Sequence, residues 1–376
     1  MNILYVSTIS GTINLFLVPH ITRLMDQGHT VSIACRVDDP IHPELSARGV
    51  KVYPIAFQRS PFDKRNLQAY RELNRVLDEE DRFDWVHTHT PVASALVRLA
   101  CRDRQDVKVL YTAHGFHFFK GAARENWLTY YPVEKALSHY TDVLITMNSE
   151  DYACAADEFS AGCIVNVHGV GVDLSRFMLQ TESEKEHLRR EYGFRPDDFI
   201  LVYAAALNNR KHQTVLIEAM AELTKVVPKA KLLLIGKGPN EVGYRALINL
   251  LKLENHVHLM GYRKDVPQLM QLADVAVSSS NQEGLPVNVM EAMAIGLPLV
   301  VSACRGNRDL VEDGRNGFLI REDDPAMYAE KLATLYFDEK LRESMKQESA
   351  AMIQDYAVEN VLREMDGIYA DLLRRG

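Results

Sequence analysis

With 376 residues, 47% of them hydrophobic and 25% charged, the chain is long enough for two domains with buried cores, and wholesale disorder is excluded. Its net charge of -8 argues against a nucleic-acid polymer as partner, and no apolar run reaches the ~20 residues that a membrane span requires. Five scattered cysteines, none in a Cys-x-x-Cys pair, read as the reduced thiols of a cytoplasmic protein. The first residues, Met1 to Val6, carry no basic segment ahead of their apolar run and read as a buried strand, not a leader.

In chain order, short apolar runs alternate with helical patterns. Strands are expected at 3–8, 30–35, 51–56, 85–90, 107–114 and 142–147, with helices such as 13–27 and 66–80 between them. A polar stretch, 177–198, follows. Six more strands are expected at 199–207, 231–236, 256–261, 274–280, 298–303 and 317–320. Uniform Val, Ile and Leu runs suit strands covered on both faces, and strand–helix alternation suits parallel, doubly wound sheets. The fold class is therefore α/β, with an N-terminal Rossmann-like domain over 1–176, a second over 177–355 and a C-terminal helix, 356–376, packing back on the first. Ligands of open parallel sheets sit beyond the carboxyl ends of the strands, so the strand-end loops carry the chemistry.

One such loop runs from Ser279 to Ala294. It follows the strand 274–280 and opens a helix near Pro286, where proline favours the first turn. Amides at that helix start attract phosphate. Glu283 in the loop and Glu291 inside the helix bracket it with two carboxylates, natural partners for the vicinal diols of a hexose and a ribose.

This segment resembles the Glu-x7-Glu signature of the retaining glycosyltransferases of family 4, which have two facing Rossmann-like domains with a cleft between them, the GT-B fold. The resemblance runs over nearly the whole chain. Gly236 and Gly238 resemble the family's glycine turn, Gly261-Tyr262-Arg263 its base-binding turn, and Gly169-Val170-Gly171-Val172-Asp173 the motif closing its first domain. The stretch 85–152 is similar to enzymes that build capsular or exopolysaccharide repeat units.

The resemblance implies that Glu283 contacts the donor sugar and Glu291 the ribose. Gly284, Leu285 and Val287 would offer amides to sugar hydroxyls and phosphate, and Arg263 would sit at the base. Arg210-Lys211 matches a basic pair that neutralises the diphosphate, with Lys211 as the family's lysine. His114, after the strand 107–114, matches a histidine near the donor sugar. His89 and His117 lie on the same rim, where an acceptor would enter, and Gly11 resembles a glycine loop that lets the donor approach the backbone. The implied donor is a UDP-hexose or UDP-N-acetylhexosamine. The implied acceptor is a saccharide, commonly linked to a polyprenyl diphosphate. No metal ion or cofactor is expected, since Lys211 and helix amides do the neutralising and there is no Asp-x-Asp pair.

The chain departs from the family at Ala205-Ala206, where relatives carry glycine and then arginine or glutamate. Between Phe57 and Arg75 lie five basic residues, Arg59 among them, against two acids. With Phe57, Phe62 and Tyr70 this stretch is a candidate surface for an anionic membrane, or a solvated helix face. Two other readings stay open: a nucleotide-sugar epimerase of related architecture, and a weakly active nucleotide-sugar binding protein.

Overall fold

The computed structural model describes residues 1–79, 82–321 and 323–375. The chain divides into two compact units, residues 1–170 together with those from 361 on, and residues 171–360. The boundary falls at 170/171, ahead of the expected 176/177, because Val172 is tied into the second unit. Its N–H donates to the Tyr356 carbonyl at 2.9 Å and its carbonyl accepts from Val358 N at 3.0 Å. The return point lies at 360/361, inside the last helix, Val358–Arg375.

The first unit is built on a seven-stranded parallel sheet of order β3-β2-β1-β4-β5-β6-β7. The strands are β1 (Asn2–Ile9), β2 (Thr30–Arg36), β3 (Lys51–Pro54), β4 (Trp85–His89), β5 (Lys108–Thr112), β6 (Val143–Thr146) and β7 (Cys163–Asn166). β1 and β4 are buried almost throughout, as strands covered on both faces must be. The seventh strand, β7, was not among the expected six. It is a short edge strand, half-buried and without the uniform apolar run that marks the others.

The helix expected over 13–27 is interrupted. A π-helical turn, Ile13–Leu17, precedes the α-helix Val18–Asp26, whose Pro19 has no N–H to give to a regular ladder. The helix Arg65–Glu79 occupies the place expected for 66–80, of which Glu80 lies outside the described residues. The last helix lays Tyr369 against this sheet. Its hydroxyl bonds Tyr5 Oη and His87 Nδ1, each at 2.8 Å, and its ring stacks on Trp85.

The second unit holds a six-stranded parallel sheet of order β10-β9-β8-β11-β12-β13. These are β8 (Phe199–Ala204), β9 (Ala230–Ile235), β10 (Val257–Gly261), β11 (Val275–Ser278), β12 (Leu299–Ser302) and β13 (Gly317–Ile320). Successive side chains of β8 feed two cores. Leu201 and Tyr203 join the one that includes Leu216 and Leu332, while Ile200 and Val202 join the one that includes Met290 and Ile295.

Both sheets reverse direction of winding once, between β1 and β4 in the first unit and between β8 and β11 in the second. Such switch points open a crevice at the carboxyl ends of the flanking strands. No helix among the described residues is long and apolar enough to cross a membrane.

Candidate active site

At the switch point of the second unit, the loop after β8 and the loop after β11 are laced together. Ser279 Oγ donates to the His212 carbonyl at 2.9 Å, Ser280 Oγ to the Arg210 carbonyl at 3.1 Å, and Asn281 N to the same carbonyl at 2.9 Å. His212 takes a left-handed φ of 49° and turns the chain into the helix Gln213–Val226. The lacing brings Lys211 and Glu283 together. Lys211 Nζ donates to Glu283 Oε1, and Arg210 Nη1 lies 3.6 Å from Oε2. Both partners of the closer pair are buried.

Two glycines let the loop after β9 lie against the loop after β8. A Cβ on Gly236 would stand 2.1 Å from the Ala205 carbonyl oxygen, and one on Gly238 2.1 Å from that of Leu207. No side chain larger than hydrogen fits either place. The Ala206 side chain is exposed, and its carbonyl accepts from Gln213 Nε2 at 2.9 Å.

The helix expected near Pro286 runs Val287–Ile295, with Pro286 as its N-cap. Leu285 and Val287 are half-buried at its start. Glu291, one turn in, is half-buried, and no hydrogen bond or ion pair reaches its carboxyl group among the described residues. Burial pushes that carboxyl up to about 7, against the opposing pull of Arg176.

Two residues escaped the sequence reading. Arg305, after β12, is buried, and its Nε donates to the Glu283 carbonyl at 2.9 Å. Gly306, at φ 79°, has no room for a Cβ, which would stand 2.3 Å from the Gly284 carbonyl. The signal for both was their place just after a strand, on the rim that carries Glu283.

In the first unit, His114 follows β5 and is half-buried, with Nε2 3.0 Å from His89 Nδ1. Burial lowers its imidazole to about 4, so it is neutral at pH 7. Nearby, a cavity of about 230 Å³ is lined by Thr8, Thr12, Arg59, Thr90, His117 and Tyr130, among others. His117 stacks on Tyr130 with ring centroids 4.4 Å apart. Thr90 holds a φ of 69°, an outlier for a β-branched residue. Thr8 fixes it there, with hydroxyl oxygens 2.7 Å apart and the Thr8 N–H donating to Thr90 Oγ1 at 3.1 Å. Strain of this kind collects at functional rims.

Sequence comparison gives the chain its family. Residues 20–176 match the description Glycosyltransferase Family 4, and residues 184–352 match Glycosyl transferases group 1. EpsD of Bacillus subtilis (strain 168), named as a candidate glycosyltransferase, is 42% identical over 98% of this chain and 96% of its own. The chain belongs to glycosyltransferase family 4. A more distant relative is the Escherichia coli UDP-Gal:α-D-GlcNAc-diphosphoundecaprenol α-1,3-galactosyltransferase, 25% identical over 93% of this chain and 91% of its own. In fold, the chain resembles HepE of Anabaena, solved in complex with UDP, with a TM-score of 0.83 at 20% identity over 99% of this chain and 100% of that one. The sucrose-phosphate synthase of Thermosynechococcus elongatus also gives 0.83, at 18% identity over all of both chains. The fold is GT-B.

Among the residues that the family-4 signature singles out, the structure gathers Lys211, Arg210, Glu283 and Gly284 at one switch point. Others are engaged elsewhere. The Arg263 guanidinium forks onto Asp265, with Nε 2.8 Å from Oδ1, and the turn ahead of it bends at Gly261 with φ 66°. The Gly11 amide leans on Asp38 at 3.3 Å, and a Cβ there would make only ordinary contacts, the nearest at 3.6 Å. Space does not require that glycine. Between Phe57 and Arg75, Phe57 is buried and Tyr70 half-buried, so of the three aromatics only Phe62 stands out, 79% exposed. Burial of Phe57 in the core beside Leu73 is the reason. Leu67, Arg71 and Arg75 of the helix Arg65–Glu79 are exposed, as is Lys64 just ahead of it, while Arg65 is paired with Asp63.

Proposed function

We propose that the chain transfers a sugar, with retention and without a metal ion, from a UDP-hexose or UDP-N-acetylhexosamine to a saccharide on a polyprenyl diphosphate, in cell-surface polysaccharide synthesis. One observation carries this reading. Beside the switch point that holds Lys211 and Glu283, Glu291 keeps a half-buried carboxyl group that no protein group satisfies among the described residues. A carboxylate accepts only, and a ribose diol supplies two donors at once.

In this reading Glu291 holds the ribose and Glu283 the donor sugar. Lys211, Arg210 and the amides around Gly284, Leu285 and Val287 receive the diphosphate. As the bond from the anomeric carbon to the phosphate oxygen breaks, the acceptor hydroxyl attacks from the same face. Its proton passes to the departing phosphate oxygen. Lys211, and His114 as a neutral donor or acceptor, stabilise the charge that develops.

The acceptor enters at the cavity of the first unit. Arg59 lines it, and no carboxylate pairs with Arg59 among the described residues. An unpaired cation beside hydroxyls and a stacked aromatic pair suits a phosphate-bearing saccharide. The exposed face of Lys64, Leu67, Arg71 and Arg75, with Phe62 ahead of it, would hold this unit on an anionic leaflet at the cytoplasmic side. The lipid-linked substrate in the name of the Escherichia coli relative supports the acceptor class.

The test is an assay of labelled UDP-sugars with and without a polyprenyl-diphosphate-linked saccharide, in the presence of EDTA. Label should move only when acceptor is present, and the new linkage should keep the donor's anomeric configuration. A free epimerised sugar formed without acceptor would indicate an epimerase, and nucleotide binding without turnover a binding protein. Loss of transfer in EDTA would overturn the metal-independent step. Arg59→Gln should raise the KM for acceptor while leaving UDP affinity unchanged.

A further inference from the structure

The first unit collects four imidazoles around β1 and β4, of which the proposed reaction uses one. His87 and His89 alternate along β4 onto one face, beside Tyr5 of β1, with ring centroids 4.8 Å and 5.4 Å from it. His20 Nε2 donates to the Val170 carbonyl at 3.0 Å. Both nitrogens of His87 are engaged at 2.8 Å, Nδ1 by Tyr369 Oη and Nε2 by Thr112 Oγ1. His89 differs. Its Nδ1 meets His114 Nε2 at 3.0 Å, and its Nε2 is buried with no partner among the described residues.

Burial lowers all four rings, so at neutral pH each carries a single proton. Two neutral rings joined by one hydrogen bond admit two arrangements. If His114 donates from Nε2, the only proton of His89 sits on its own Nε2, a buried N–H with nothing to receive it. If His89 donates from Nδ1, its Nε2 is a bare lone pair and the His114 proton sits on Nδ1. An orphaned buried N–H is the rarer defect. The second arrangement also turns the His114 N–H away from His89, to the ring nitrogen that no protein group holds among the described residues.

We infer that His89 is a positioning residue: its Nδ1–H holds His114 as the Nδ1–H tautomer, so that His114 offers its ligand a hydrogen-bond donor. His89 itself is 2% exposed and is out of an acceptor's reach, which corrects its expected place on the acceptor side. The ligand's identity rests on the proposed transfer. An oxygen-rich sugar diphosphate presents acceptors, which a donor nitrogen suits and a lone pair does not.

The test does not need turnover. In the full-length chain with ¹⁵N-labelled histidine and no ligand, the ring-nitrogen shifts of His114, assigned by their loss in His114→Asn, should show Nδ1 protonated and Nε2 bare. The reverse pattern overturns the inference whatever the protein's activity. His89→Leu should abolish the single-tautomer signature and lower kcat about tenfold, with KM for donor and UDP affinity within about twofold. His89→Asn, which keeps a donor near the place of Nδ1, should recover most of the rate. A kcat unchanged in a folded His89→Leu protein, or an equal loss in the Asn variant, overturns the role. If His89→Leu does not fold, the tautomer of the wild-type chain decides.

Discussion

Lys211 and Glu283 stand 72 positions apart and meet as a buried ion pair between the ends of β8 and β11. Each neutralises the other where neither is well hydrated, and Arg305 fixes the carbonyl of Glu283 from behind. Without ligand the pair is self-satisfied. In the proposed reaction both side chains turn to the donor, which must supply better partners than they give each other.

Breaking this pair from one side should therefore destabilise the second unit. Lys211→Ala leaves the buried carboxylate with only the exposed Arg210, 3.6 Å from its other oxygen, at a cost of up to about 3 kcal/mol. The double change Lys211→Met with Glu283→Gln should restore most of the melting midpoint and none of the transfer activity. Differential scanning calorimetry beside the transfer assay checks both. A double variant as unstable as Lys211→Ala would show that the loss comes from packing and not from charge.

Glu291 gives a pH-dependent prediction. Its carboxyl titrates near 7 in the folded chain and near 4.5 in the unfolded one. The unfolded state therefore releases the proton first, and wild-type stability falls as pH rises from about 4.5 to 7. Glu291→Gln removes that penalty. It should stabilise the protein by about 1–3 kcal/mol at pH 8 and hardly at all at pH 4.5. Glu291→Ala should weaken UDP binding about tenfold in calorimetry. A gain from Gln that is equal at both pH values would refute the raised titration of Glu291, and unchanged UDP affinity in the Ala variant would remove it from the ribose.

Ala206 is exposed, so Ala206→Arg can be accommodated without disturbing either core. A further cation beside Arg210 and Lys211 should raise kcat for transfer severalfold by stabilising the departing diphosphate. If the rate stays put, Arg210 already does that work at this site.

For the membrane, the exposed charges to change are Lys64, Arg71 and Arg75, since Arg65 is occupied by Asp63. Each cation contributes about 1 kcal/mol near an anionic surface. The wild-type chain should co-sediment with vesicles containing anionic lipid, less so as salt rises, and the triple Gln variant should stay in solution. Equal pelleting of the two would leave this face merely solvated and point to a soluble acceptor.

The donor side was legible because its chemistry is local. Glu283, Gly284, Pro286 and Glu291 lie in one strand–loop–helix passage, and Lys211 closely follows another strand. Arg305 and Gly306 were not, because each acts on the loop of Glu283 and Gly284, which only the order β11–β12 brings beside them. The His89–His114 bond depends on the register of β4 with β5, His89 opposite Thr112, which no one-dimensional pattern encodes. β7 escaped because an edge strand needs only one apolar face and can be brief. Phe57 misled for the opposite reason: an aromatic among cations looks like an anchor until the core behind it is known.

The last helix also sets an order of events during synthesis. Tyr5 and His87 are translated before residues 171–360, yet the hydroxyl they share arrives after them with Tyr369. The unit between them, residues 171–360, is continuous and can close as soon as it emerges. At ribosomal speeds of about 5–20 residues per second, the earlier sheet waits roughly 10–40 s with one face incomplete. The nascent first unit is thus the segment on which a chaperone has time to act, and the second unit, though made later, is the first able to finish.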